Sequence, residues 1–278
     1  MFRSILVALA LLSLSISPPV MGEEKPTLEA KIADSKPLSF EARPFDGKAK
    51  LKVTYLLMDK PYLAEQFSKG PNSLSIEDGK MTVLFDKEVH RLTLPSKSDG
   101  KLSHDKTFGK DGVEAYKKDE GWQPAETFDY GWFKSRPLRD GLIGRIEQQP
   151  FHHLVVTNKS GKEVVKLGTK QGKSKLCWLQ NVCRWKDMVF IVDSNCRDID
   201  VWTIGGKFLF EIDLIDLGPR YPWPMSIDIT DDGVLYLGLT HEREKKEGND
   251  NAGVTETFFM KITGLETIDA NAYEAKEN

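Results

Sequence analysis

A catalytic zinc ion needs at least three well-placed imidazole or carboxylate ligands and a water, and the chain has five histidines to draw on: His90, His104, His152, His153 and His241. His153 opens an apolar stretch and His241 follows one, so both sit near strand ends and are the candidate metal ligands. His152 and His153 are neighbours and point to opposite faces of any strand they share. Three cysteines, Cys177, Cys183 and Cys196, lie close together without a CxxC spacing or an intervening histidine, which argues against zinc. An odd count predicts one disulfide and one free thiol in an oxidising compartment. If Trp185-Lys186-Asp187 turns a hairpin, residues 177 and 196 meet across its open end, so the expected bridge is Cys177–Cys196. The charged stretch from His241 to Gly253 lacks the alternating acids of a calcium loop. There is no phosphate-binding glycine loop, nucleophile elbow or HExxH.

A second constellation is suited to recognition. Trp122, Phe128, Tyr130, Trp132 and Phe133 are interleaved with Asp129, Lys134, Arg136 and Arg139, and broken by Gly121, Pro124, Gly131 and Pro137. This reads as a loop with an aromatic surface and a basic rim, able to grip a sugar, a peptide or a partner protein. Tyr221 to Trp223 forms a further aromatic corner. Trp122, Tyr130, Trp132, Arg136 and Trp223 are therefore the expected ligand-binding residues.

The elements that must position these groups are short strands. Ser73 to Ile76 and Met81 to Phe85 flank Glu77-Asp78-Gly79; Val89 to Leu94 follows. His153 to Val156 and Lys162 to Leu167 flank Asn158-Lys159-Ser160-Gly161. Met188 to Val192, Ile199 to Ile204 and Lys207 to Ile212 are separated by turn signals, with Gly205-Gly206 between the last two. Ser226 to Ile229 and Val234 to Leu237 flank Asp231-Asp232-Gly233. Strands at this cadence predict an all-β fold, and units of about 40 to 50 residues are the period of propeller blades.

The run from Phe190 to Trp202, with Asp193, Asn195 and Arg197, followed by Gly206-Lys207-Phe208-Leu209, resembles the NHL repeat. Pro224-Met225-Ser226-Ile227-Asp228-Ile229, with Asp232-Gly233 and Leu235-Tyr236-Leu237, is similar to the opening of a following blade. Only one blade carries the Asp–Asn–Arg set, and Gly238 stands where a second aspartate is expected. The resemblance implies a β-propeller of six four-stranded NHL-like blades, and a structural role for Asp193, Asn195 and Arg197 in tying neighbouring blades together.

Residues 1–22 read as a secretory signal: Arg3, an apolar run from Ile5 to Leu14, Pro18-Pro19, and a cleavage site after Gly22. The run is too short to span a bilayer, and no later segment is apolar enough to do so. The expected organisation is a signal peptide over 1–22, an N-terminal arm or ring-closing segment over 23–48, a propeller over 49–268 and a polar tail over 269–278. Loss of residues 1–22 removes one of the 39 basic side chains, leaving 38 against 42 acidic ones. That balance offers nothing to hold a nucleic acid. The expectation is a secreted or periplasmic protein that binds a ligand or an extracytoplasmic protein through its loop face, with no cofactor predicted. The alternative is a propeller enzyme of the lyase or lactonase/hydrolase type, with zinc or calcium in its central channel.

Overall fold

The computed structural model describes residues 39–42, 49–58, 63–64, 70–85, 88–96, 101–107, 127–129, 132–148, 151–168, 175–215, 222–242 and 255–273. In chain order the strands are β1 (Ser39–Ala42), β2 (Leu51–Met58), β3 (Leu63–Ala64), β4 (Pro71–Glu77), β5 (Lys80–Phe85), β6 (Glu88–Thr93), β7 (Lys101–Thr107), β8 (Thr127–Asp129), β9 (Trp132–Leu138), β10 (Leu142–Glu147), β11 (His153–Asn158), β12 (Glu163–Leu167), β13 (Leu179–Trp185), β14 (Met188–Asp193), β15 (Asp198–Thr203), β16 (Phe208–Asp213), β17 (Trp223–Ile229), β18 (Leu235–Glu242) and β19 (Thr255–Thr263).

These strands make an all-β propeller of four-stranded blades. Blade 1 is β4–β7, blade 2 is β9–β12 with β8 added beside β9, and blade 3 is β13–β16. Blade 4 takes β17, β18 and β19 from the C-terminal part of the chain and its outer strand, β2, from the N-terminal part. The strands of each blade are called A to D outward from the axis. Four blades are present among the described residues, against the six expected. The expectation came from the NHL resemblance and a repeat period of about 40 to 50 residues, whereas blade 3 is complete between Leu179 and Asp213, and stretches such as 108–126 and 243–254 fall between described strands.

The tight turns follow the chemistry of their residues. Asp78-Gly79 carries φ of 46° and 71°, the left-handed pair that a two-residue hairpin needs. Packing follows strand alternation: side chains of one blade alternately face its two neighbours. On blade 3, Phe190, Val192, Ile199 and Val201 pack with Ile227, Leu235 and Leu237 of blade 4. Val182, Val189, Ile191 and Trp202 pack with Leu138, Leu154, Val156 and Leu167 of blade 2. Leu74, Met81 and Leu92 of blade 1 pack with Leu56, Tyr236 and Phe259 of blade 4. No blade covers both of its own faces, so each apolar face needs the next blade. Gly238, in the place of the expected aspartate, answers to this packing: a Cβ there would meet Ser226 Oγ at 2.7 Å and Pro71 Cγ at 3.0 Å.

Ring closure is antiparallel, with Val53 opposite Ile262 and Tyr55 opposite Met260. The closing strand lies at 51–58, beyond the 23–48 segment, whose described part, β1, adds to the outside of β2. Closure leaves fewer unpaired strand edges. Gly264 makes the join tight, with φ 93° and a virtual Cβ that overlaps the Lys50 carbonyl. Gly264→Ala is expected to lower Tm by more than Gly79→Ala, whose Cβ meets nothing within 4 Å. Both lose about 1 kcal/mol for a positive φ, worth ~2–4 °C at this size, and only Gly264→Ala must also displace backbone. Equal Tm values for the two variants would contradict the closure.

Beyond β19 the chain does not fray at once. Residues 265–267 and 270–272 form short 3-10 turns, and Tyr273 is buried and stacked on Phe210 with ring centroids 5.3 Å apart. The segment expected as a polar tail thus begins with a docked turn.

Candidate functional site

Among the described residues, one side chain reaches the inner strands of all the other blades. Arg136, on strand A of blade 2, is 7% exposed. Its Nη1 donates to Asn181 Oδ1 (3.1 Å) and Val182 O (3.3 Å) of blade 3 and to Ile227 O of blade 4. Its Nη2 donates to Leu74 O of blade 1 (3.2 Å) and pairs with Asp228 Oδ1 of blade 4 at 2.9 Å. The guanidinium therefore touches strand A of each of the other three blades. Its planar fork of donors suits this task, as a single ammonium point charge would not. The other oxygen of Asp228 accepts the Ile76 amide at 2.7 Å, which ties blade 1 to the same group. Cys183, the free thiol, is buried beside this network, and burial pushes its pKa up.

A second network knits the end of the ring that carries the A–B turns. Arg139 pairs with Asp231 and donates to Ile229 O (2.6 Å). Arg184 pairs with Asp140 at 2.8 Å and donates to Arg139 O at 3.1 Å, and Trp185 Nε1 donates to Asp231 O at 3.0 Å.

The opposite end of the ring carries the B–C turns and the starts of the A strands. Because neighbouring strands run antiparallel, Trp132 and Trp223 (first residues of their A strands), His153 and Asp198 (first residues of C strands) and His241 (near the end of a B strand) all belong to this face. Of the expected ligand-binding set, Trp122 and Tyr130 lie outside the described residues. Trp132 is placed in β9 opposite Asp129, and Trp223 is half-buried at the start of β17. Arg136 stands apart from them, buried against the inner strands of the other blades. The 122–139 segment was expected as a loop, but 132–138 is a strand; Pro137 and the aromatic run masked an inner strand whose arginine faces the other blades.

The two expected metal ligands are not neighbours. His153 is buried on strand C of blade 2, where its ring nitrogens meet Phe151 O (2.8 Å) and Glu147 Oε2 (3.1 Å). His241 lies on strand B of blade 4, opposite Glu256.

The NHL-like residues organise a turn. The Asp193 carboxylate accepts the amides of Cys177, Trp178 (2.8 Å) and Cys196 (3.2 Å). Asn195 is exposed. Arg197 has φ 65°, and its amide donates to Asp193 O at 2.8 Å. The ties made by Asp193 are within the blade 3 corner, between the entry to β13 and the β14–β15 turn. The disulfide Cys177–Cys196, with Cα atoms 5.8 Å apart, fastens the same two segments, at a separation suited to the bond.

This corner also holds the strongest charge conflict among the described residues. Asp198 and Asp200, two positions apart on β15, share a face; Asp193 stands opposite Asp198, and Glu211 and Asp213 stand opposite Asp200 and Asp198. Burial first, then the charges of Asp193, Glu211 and Asp213, push Asp198 up to about 8, and burial with Asp198, Asp193 and Glu211 drives Asp200 well above the carboxylate range. The sequence did carry a signal for this, an Asp-x-Asp pair on a strand that is otherwise apolar.

No family model matches the sequence, and no curated protein matches it. Among solved structures, virginiamycin B lyase from Staphylococcus aureus is similar with a TM-score of 0.35 and 12% identity, over 77% of this chain and 99% of that one. BamB from Moraxella catarrhalis is similar with a TM-score of 0.28 and 8% identity, over 80% of each chain. A luciferin-regenerating enzyme reaches 0.27 and 11%, over 84% of this chain and 94% of that one. Likenesses this distant carry no argument about activity, and the propeller rests on the strand pairing described above.

Proposed function

We propose that this chain is an exported propeller of NHL-like sequence that binds a ligand or an extracytoplasmic protein through the face bearing its B–C turns. One observation carries the reading: Arg136 is buried and committed to strand A of the three other blades. Its guanidinium is thereby turned to holding the ring together, and recognition falls to the rim. The face that carries the half-buried Trp223 and the acidic corner of blade 3 offers an aromatic ring and charge, both common in recognition surfaces. The opposite face spends Arg139, Arg184, Trp185 and Asp231 on one another. Export is supported by the signal-like residues 1–22, and an oxidising compartment suits the Cys177–Cys196 bridge. Among the described residues no helix is long and apolar enough to cross a membrane.

A photo-crosslinking amino acid at Trp223 tests this, against the same label at Lys186 on the A–B end. Expressed with residues 1–22 in an exporting host, the Trp223 label is expected to give discrete adducts and the Lys186 label none. Adducts from Lys186 alone, or from neither position, would remove the support for this face.

A further inference from the structure

The acidic corner of blade 3 crowds buried carboxylates together. One carboxylate oxygen from each of Asp193, Asp198 and Asp200 lies within 4.8 Å of the other two. Such crowding on a surface would be unremarkable. Here, however, Asp193 is fully buried and Asp200 is 4% exposed. A charge shielded from water needs a partner, because an uncompensated one is far too costly to keep.

Asp193 has its three amides. Asp200 receives no hydrogen bond among the described residues, and Asp198 Oδ1, itself shielded from solvent, has no hydrogen-bond partner. Both unpartnered groups belong to the same triad of oxygens. Glu211 and Asp213 add negative charge from the neighbouring strand. On the blade 2 side His152 is stacked on Trp178 with ring centroids 4.8 Å apart, and its buried Nδ1 has no hydrogen-bond partner among the described residues. The aspartates share one need, a compact positive charge between the carboxylates.

We propose that Asp193, Asp198 and Asp200 bind a calcium ion at the B–C corner of blade 3. An all-oxygen, multiply anionic donor set suits a hard cation. Ca²⁺ takes its oxygens at 2.3–2.6 Å, so oxygens on opposite sides of one ion are about 4.6–5.2 Å apart, and the triad already fits within that span. The amides of Cys177, Trp178 and Cys196 leave further lone pairs on Asp193, since each carboxylate oxygen accepts more than one partner. They hold it in place, and the disulfide locks the two segments that supply them. Asp198 and Asp200 are set by the β15 ladder. The ion would thus tie the entry to strand A to the B–C turn, on the face assigned above to recognition but away from the axis.

The test uses the exported chain, stripped with chelator and titrated with CaCl₂ by calorimetry, with melting followed alongside. One calcium per chain and a rise in Tm are expected. Asp200→Asn and Asp198→Asn should each weaken calcium at least tenfold and abolish the rise in Tm. Asp187→Asn, an exposed acid at the opposite end of the blade, should behave as wild type. No heat and no change in Tm for the stripped wild type would overturn the proposal, and would mean that protons hold the corner. Wild-type binding by both Asp200→Asn and Asp198→Asn, or equal loss in Asp187→Asn, would overturn it as well. The wild-type titration decides the matter even where a variant fails to fold.

Discussion

Arg136→Met is expected to lower the free energy of unfolding by about 3–5 kcal/mol, the usual cost of removing one partner from a buried charged network. Methionine fills much of the same volume, so the loss measures the hydrogen bonds more than a cavity. It strands the carbonyls of Leu74, Val182 and Ile227 on three different blades, each unsatisfied buried acceptor costing about 1–3 kcal/mol. It also leaves Asp228 with the Ile76 amide but without its cation. Arg136→Lys should recover only part of this, because an ammonium cannot span the same set of acceptors. Adding Asp228→Asn to Arg136→Met should restore a fraction and no more, since the carbonyls stay unpaired. Urea unfolding at fixed ionic strength provides the comparison. A loss below about 1 kcal/mol for Arg136→Met would mean that the axis is solvated and that Arg136 is free for ligand.

Loss of the disulfide is expected to be the next largest effect. Cys177 and Cys196 are 19 residues apart, and closing a loop of that size stabilises by about 3 kcal/mol through the unfolded state. The double variant Cys177→Ala/Cys196→Ala should show that loss, and should also weaken the hold on Asp193, whose carboxylate accepts both cysteine amides. Cys183 should react with a thiol reagent only after unfolding, because it is buried and its thiolate is disfavoured. One reactive thiol in denaturant before reduction, and three after, would match the structure. Three before reduction would contradict the bridge.

The sequence made most hairpins legible, for a local reason. Ser73 to Phe85, Met188 to Thr203 and Ser226 to Leu237 each pair alternating or continuous apolar runs across a turn whose residues tolerate positive φ, and each became two adjacent strands. The cysteine pairing was legible for the same reason, since a turn at Lys186-Asp187 fixes which residues meet at its open end. What lay hidden depends on distant parts of the chain. Nothing near Arg136 announces that four inner strands converge on it, so its neighbours Trp132 and Phe133 drew it into an aromatic loop. The closing strand β2 finds its partner β19 some two hundred positions away and has no repeat-like pattern of its own. The acidic corner arises only when β14, β15 and β16 are laid in register.

The most direct test of the ring is to trap its closure. Thr54 and Lys261 are Cα partners across β2 and β19, so the variant carrying Thr54→Cys and Lys261→Cys should form a disulfide between them in the folded chain under oxidising conditions. Proteolysis followed by mass spectrometry is expected to recover a linked pair of peptides containing positions 54 and 261, while a Lys106→Cys/Lys261→Cys control gives none. Failure of the 54–261 pair to form in folded protein, or equal yields from the two pairs, would mean that the N-terminal strand does not complete the last blade.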